Sequence, residues 1–148
     1  MNYEEILHKL APCGLDCSKC MAFREGEIKK HATELKRLLG AFDSYAARFS
    51  KFMPVFSCYP SFKKLLDHFV QSDCGGCRKG EGKYPNCAVA ACYREKGVDF
   101  CFQCGDFPCA KVSFDPNLKE RWLDMNGKMR ETGVERYYED TKDLPRYR

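Results

Sequence analysis

Three pairs of cysteines in this chain are separated by two residues: Cys17 and Cys20, Cys74 and Cys77, Cys101 and Cys104. Two intervening residues allow a backbone turn that brings both sulfurs to one ion, at about 2.3 Å if the ion is zinc. Gly75-Gly76 and Gly105 suit such turns, because tight knuckles often need a positive φ. Cys87 and Cys92 lie between the second and third pairs, Cys109 follows the third, and Cys13 precedes the first. The candidate metal ligands are therefore Cys13, Cys17, Cys20, Cys74, Cys77, Cys87, Cys92, Cys101, Cys104 and Cys109. A lone pair would compete with a thioredoxin-like redox couple. Two pairs flanking further cysteines in one stretch point instead to metal. Cys58 stands apart from both blocks.

The compartment bears on what these thiols do. No apolar run approaches the roughly 20 residues that span a bilayer. The start, Met1 to Ile6, is acidic and lacks the basic-then-apolar layout of an export signal. The expected location is the cytoplasm, where thiols stay reduced and serve as metal ligands rather than as disulfides. The odd count of eleven cysteines agrees.

The ligand arithmetic leaves the grouping open. Two four-cysteine sites leave two of the ten over, and three sites need two further ligands. His8, His31, His68, Cys58, Asp16 and Asp106 are the auxiliary candidates, and bridging sulfurs are another solution. About two ions are expected. Cys87 should precede a short helix that carries Cys92 and ends at Gly97, and Cys92 is also open to a purely structural role as a buried thiol. Block one, C-x3-C-x2-C from Cys13 to Cys20, has the spacing by which radical-SAM enzymes hold a [4Fe–4S] cluster. The chain has 148 residues and no βα alternation, whereas a full barrel takes about 250, so that enzyme is set aside.

A net charge of +4 suggests nucleic acid at first sight. Yet each zinc held by four thiolates carries −2, so two such sites would cancel the excess. Arg78, Lys79, Lys83, Arg94 and Lys96, interleaved with Tyr84, Tyr93 and Phe102, could clamp phosphates and stack bases. Arg136-Tyr137-Tyr138 and Arg146-Tyr147-Arg148 could add to them. Glu81, Glu95, Asp99 and Asp106 dilute that patch.

Helices must position these groups. Ile28, Ala32, Leu35, Leu39, Phe42, Ala46, Phe49 and Met53 recur at spacings of four and three, predicting one helix from about Gly26 to Phe52 with this stripe in the core. A second begins at Ser61 and buries Phe62, Leu65, Leu66 and Phe69. A third carries Leu118, Trp122, Met125 and Met129 and stops at Gly133, and a last turn or two spans Val134–Asp140. The expected fold is mainly α with little or no sheet: a single domain over 1–148, with a helical scaffold and a loop-rich, cysteine-clamped lobe. Its parts are block one (13–20), a helical segment (26–70), the cysteine-rich lobe (74–109) and C-terminal helices (116–141).

Several spacings agree at once with a known pattern. Cys13-Gly14-Leu15-Asp16-Cys17-Ser18-Lys19-Cys20, Cys74-Gly75-Gly76-Cys77-Arg78, Cys87 with Cys92, Lys96-Gly97-Val98, Cys101, Cys104 and Asp106-Phe107-Pro108-Cys109 carry the likeness, extended by Arg121-Trp122 and Gly133-Val134-Glu135. Over most of its length the chain resembles the cysteine-rich bacterial and archaeal proteins grouped as domain of unknown function 3795. Cys58 falls outside that pattern, and Ala88-Val89-Ala90 stands where a more polar stretch is expected. The resemblance implies metal binding and no established activity.

The expected function is thus a small zinc-binding protein with structural cysteine-ligated sites of the zinc-knuckle kind, acting through a protein partner and not at a membrane. Alternatives are an iron–sulfur protein in electron transfer or redox sensing, and a nucleic-acid-binding protein. Catalysis is disfavoured: all-thiolate coordination is typical of structural zinc, and no H-E-x-x-H pair or phosphate-cradling loop occurs. Asp16 beside block one would be the candidate base.

Overall fold

The computed structural model describes residues 1–147; Arg148, named above in the basic tail, lies outside the described residues. The fold is mainly α, with no sheet among the described residues. An isolated antiparallel bridge joins Leu10 and Asp16. Among the described residues, seven helices run α1 (Tyr3–Leu7), α2 (Glu27–Leu39), α3 (Phe42–Phe49), α4 (Tyr59–Val70), α5 (Val89–Glu95), α6 (Pro116–Thr132) and α7 (Val134–Thr141). Short 3₁₀ turns occupy Cys17–Lys19, Pro54–Cys58, Cys77–Lys79 and Cys101–Gln103. The chain forms two compact units: Met1–Cys20 together with the chain from Cys74 onward, and Met21–Asp73.

In the second unit, the continuous helix expected over 26–52 is two helices. Gly40 adopts φ 51 and ψ −123, a conformation open essentially to glycine alone, and its N–H closes α2 on the Lys36 carbonyl. The apolar stripe keeps its count across this break but is core only in part: Ala32 and Ala46 are buried, while Leu35 and Met53 are exposed. α4 starts at Tyr59, with Pro60 in its first turn, where a missing N–H costs nothing. Phe42 meets Phe49, Phe56 and Tyr59 at ring-centroid distances of 5.2–6.0 Å. Lys36 pairs with Asp67 at 2.6 Å, which ties α2 to α4. Ser72 Oγ donates to the Met21 carbonyl at 2.6 Å, joining the two ends of the unit.

In the first unit, Asn2 caps α1 through a reciprocal pair: its side chain accepts from Glu5 N–H, and Glu5 accepts from Asn2 N–H. Asp115 caps α6 by accepting from Leu118 N–H at 3.0 Å. The inner face of α6, with Trp122, Met125 and Met129, is buried as its spacing predicted. One core cluster joins Ile6, Leu10 and Phe100 to Met125, Met129, Val134, Tyr137 and Tyr138. A second gathers Ala11, Cys13, Val89 and Trp122, with several cysteines packed against it.

Gly14 is where block one crosses α6. Its φ is +93, and a Cβ there would lie 2.9 Å from Met129 Cε and 3.2 Å from Met125 Cβ. Gly14→Ala combines left-handed strain with overpacking, each costing about 1–3 kcal/mol. The expected result is a lower urea midpoint for the first unit. It is read by emission of Trp122, the chain's single tryptophan; an unchanged midpoint would refute the close-approach argument.

Candidate functional site

Each of the three cysteine pairs is built on or beside a 3₁₀ turn. Cys20 N–H bonds the Cys17 carbonyl at 3.0 Å, and Cys104 N–H bonds the Cys101 carbonyl at 3.1 Å. Asp16 fixes the first turn: its carboxylate accepts from Ser18 N–H at 2.9 Å and from the Ser18 hydroxyl. That capping role occupies the residue considered above as a base. In the second pair, Gly76 has φ +98 and its N–H points to Cys74 Sγ at 3.4 Å. Cys87 precedes α5 and Cys92 lies on it, as the spacing predicted, and Gly97 follows with φ +63.

All eleven cysteines are free thiols. Buried Cys13 packs in one cluster with Cys17, Cys77, Cys87, Cys101 and Cys109. Cys101 and Cys109 also line a cavity of about 30 Å³, together with Cys92, Cys104 and Trp122. Cys20 and Cys74 are turned to other partners. Cys74 donates to the Glu81 carbonyl at 3.2 Å, and the Tyr147 hydroxyl lies 4.0 Å from Cys20 Sγ. Among the described residues, no group of three or more His, Cys, Asp or Glu side chains is arranged to hold a metal ion as it stands.

The electrostatics follow from this crowding. Cys77 donates a hydrogen bond to Cys17, which together with the Cys77 backbone and the Arg146 charge draws the Cys17 thiol well below its usual range, against burial. Cys77 is raised in turn by that bond, by burial and by its thiol neighbours. Burial pushes Cys13 up to about 12 and Cys101 up to about 11. Trp122 opposes the shift at Cys101, although its buried Nε1 has no partner at formed hydrogen-bond geometry. The indole is therefore aimed at that sulfur without a closed bond.

Of the auxiliary candidates, His8 lines a small cavity with Cys17 and Cys77. Cys58 and His31 are exposed on the second unit, His31 beside Glu27 at 3.4 Å, and His68 packs on Phe69. Asp106 pairs with Lys96 at 2.7 Å.

Two residues that spacing arguments passed over hold the loops in place. Fully buried Asn126 donates through Nδ2 to the carbonyls of Cys13 and Trp122, both at 2.9 Å, and accepts from Phe102 N–H at 3.0 Å. It thereby links block one to the Cys101–Cys104 turn, and Cys101 N–H bonds the Pro12 carbonyl at 3.0 Å beside it. Its signal was a polar residue one turn beyond Trp122 in an apolar stripe. Arg78, counted above as part of a basic patch, is half-buried over the Phe100 and Tyr93 rings and donates to the Leu10 and Asp99 carbonyls. Arg94 reaches the Arg78 carbonyl at 2.6 Å. Tyr137 and Tyr138 are core residues. These groups serve the fold of the unit.

The last described residues bind back on block one. Lys19 Nζ donates to the carbonyls of Thr141 and Leu144 at 3.1 and 2.7 Å. Arg146 donates to the Asp16 carbonyl, and Arg121 to the Arg146 carbonyl.

No helix of the described residues is long and apolar enough to cross a membrane. No curated protein and no solved structure matches the chain. A family profile described as "Protein of unknown function (DUF3795)" matches residues 9–114, a span that takes in all ten candidate ligands. The chain belongs to that family.

Proposed function

We propose that this is a zinc-binding protein of the cytoplasm that docks a protein partner, in which about two ions held by block cysteines stabilise the loop-rich unit. The observation that carries this reading is the packing of six free thiols in one cluster, Cys13 with Cys17, Cys77, Cys87, Cys101 and Cys109. Burial and neighbouring thiols hold Cys13, Cys77 and Cys101 back from ionising, and a divalent cation would offset that cost. The donor type suits zinc, and small χ1 rotations of unlinked side chains are enough to turn sulfurs toward an ion. Structural zinc contributes on the order of 10 kcal/mol, enough to decide whether such loops fold.

The partner reading has separate support. The second unit leaves Leu38, Phe52, Val55 and Leu65 at 60–68% exposure, and apolar side chains left in water are common at protein–protein contacts.

The test is to purify the protein anaerobically without added metal, then measure metal and acid-labile sulfide per chain. About two zinc ions without sulfide or visible absorption is the expected result. Iron with sulfide and absorption near roughly 400 nm would replace zinc by an iron–sulfur cluster. A metal-free, folded chain would overturn the reading altogether.

A further inference from the structure

We propose that Cys92, Cys101, Cys104 and Cys109 form a single-ion, four-thiolate site roofed by Trp122. This rests on the reading that the cysteines bind metal, and adds which of them share an ion and how large that centre is. The four side chains come from α5, from both ends of the Cys101–Gln103 turn and from the segment after it, and all four line one cavity. Its volume of about 30 Å³ is room for about two water-sized spheres. One ion fits there.

The rest of the lining agrees with a closed site. Val89, Val98, Phe107 and Trp122 supply apolar walls, and no His, Asp or Glu shares the cavity. An open, catalytic zinc would keep a water position, whereas four thiolates in an apolar shell leave none. The buried Trp122 Nε1 is an orphan donor, and a buried unpaired donor costs about 1–3 kcal/mol. A metal-bound thiolate at Cys101 is the acceptor it lacks, and such outer donors tune bound sulfur. Lys111 and Lys96, the latter shared with Asp106, line the cavity as well and would partly offset the negative charge that four thiolates leave around a divalent ion. On loading, four S–H bonds break, four metal–sulfur bonds form and four protons leave to solvent, with no change in oxidation state.

Because Trp122 is the single tryptophan and lines this cavity, its emission reports an ion bound there. Cobalt(II) is titrated into the metal-free full-length protein under reducing conditions, with emission and bound cobalt followed together. Emission should fall and level off as this site takes one equivalent. Cys104→Ser and Cys92→Ser should each abolish the quench and bind one equivalent fewer, while Cys58→Ser, at an exposed thiol outside both blocks, keeps both. Circular dichroism confirms that at least one of the two variants remains helical. Cobalt binding with unchanged emission, or a full quench in both variants, overturns this site and leaves the metal-binding reading intact. No cobalt bound at all overturns both.

Discussion

Replacing Trp122 with alanine should lower the stability of the first unit by about 3–5 kcal/mol, the range for deleting a fully buried large aromatic. Trp122 is 1% exposed. It meets the Phe107 ring edge-to-face at 4.8 Å and the Phe114 ring at 6.1 Å, and it packs in the cluster with Ala11, Cys13 and Val89. Nothing else fills that volume, so a cavity would open beside four cysteines. Urea unfolding followed by far-ultraviolet dichroism measures the loss, since the variant has no tryptophan emission. Trp122→Phe keeps much of the contact and removes only the indole N–H and one ring, and so should lose less. A loss below about 1 kcal/mol for the alanine variant, within the ordinary scatter of point mutations, would show that the indole does not organise this core.

The second large effect is expected at Asn126. Asn126→Leu is close in size, but it strips a partner from Phe102 N–H and from the Cys13 carbonyl in a fully buried place. Each orphaned group costs about 1–3 kcal/mol, so the two together should cost the unit about 2–6 kcal/mol. The damage should also be local: amide exchange should quicken at Phe102 and around Cys13 before it does along α7. Asn126→Asp separates the two bonds, because a carboxylate can accept from Phe102 but cannot donate to Cys13. Exchange rates at both places unchanged from the unsubstituted protein would remove Asn126 from its bridging role.

Spacing carried much of the helical layout, because burial imposes its period on the sequence. α6 was legible from Trp122, Met125 and Met129, and α5 from the position of Cys92 before Gly97. The break at Gly40 was missed because the stripe from Leu39 to Phe42 keeps its step of three, while a positive φ leaves no mark on periodicity. The candidate ligands were legible as a set but not as groups. Which sulfurs approach one another depends on where Cys13 is carried by α1 and how Cys87 enters α5, and spacing within either block is silent on both. The basic patch misled for a related reason: charge composition does not show that Arg78 and Arg94 are aimed at backbone carbonyls. Val134, Tyr137 and Tyr138 did carry a helical spacing that marks them as core, and it outweighs their look of stacking aromatics.

The hydrogen bond from Ser72 to the Met21 carbonyl also bears on how this architecture could be taken apart. The second unit leaves the chain after Cys20 and hands it back at Cys74, and its two ends are held together by that bond and by Lys29, which donates to the Ser72 carbonyl at 2.7 Å. The first unit is therefore interrupted by something whose entrance and exit are neighbours, so it meets the equivalent of a short hairpin loop. Since closure entropy grows only slowly with loop length, an ancestor or an engineered relative could carry a tight turn, or an unrelated domain with adjoining termini, between the same two cysteines.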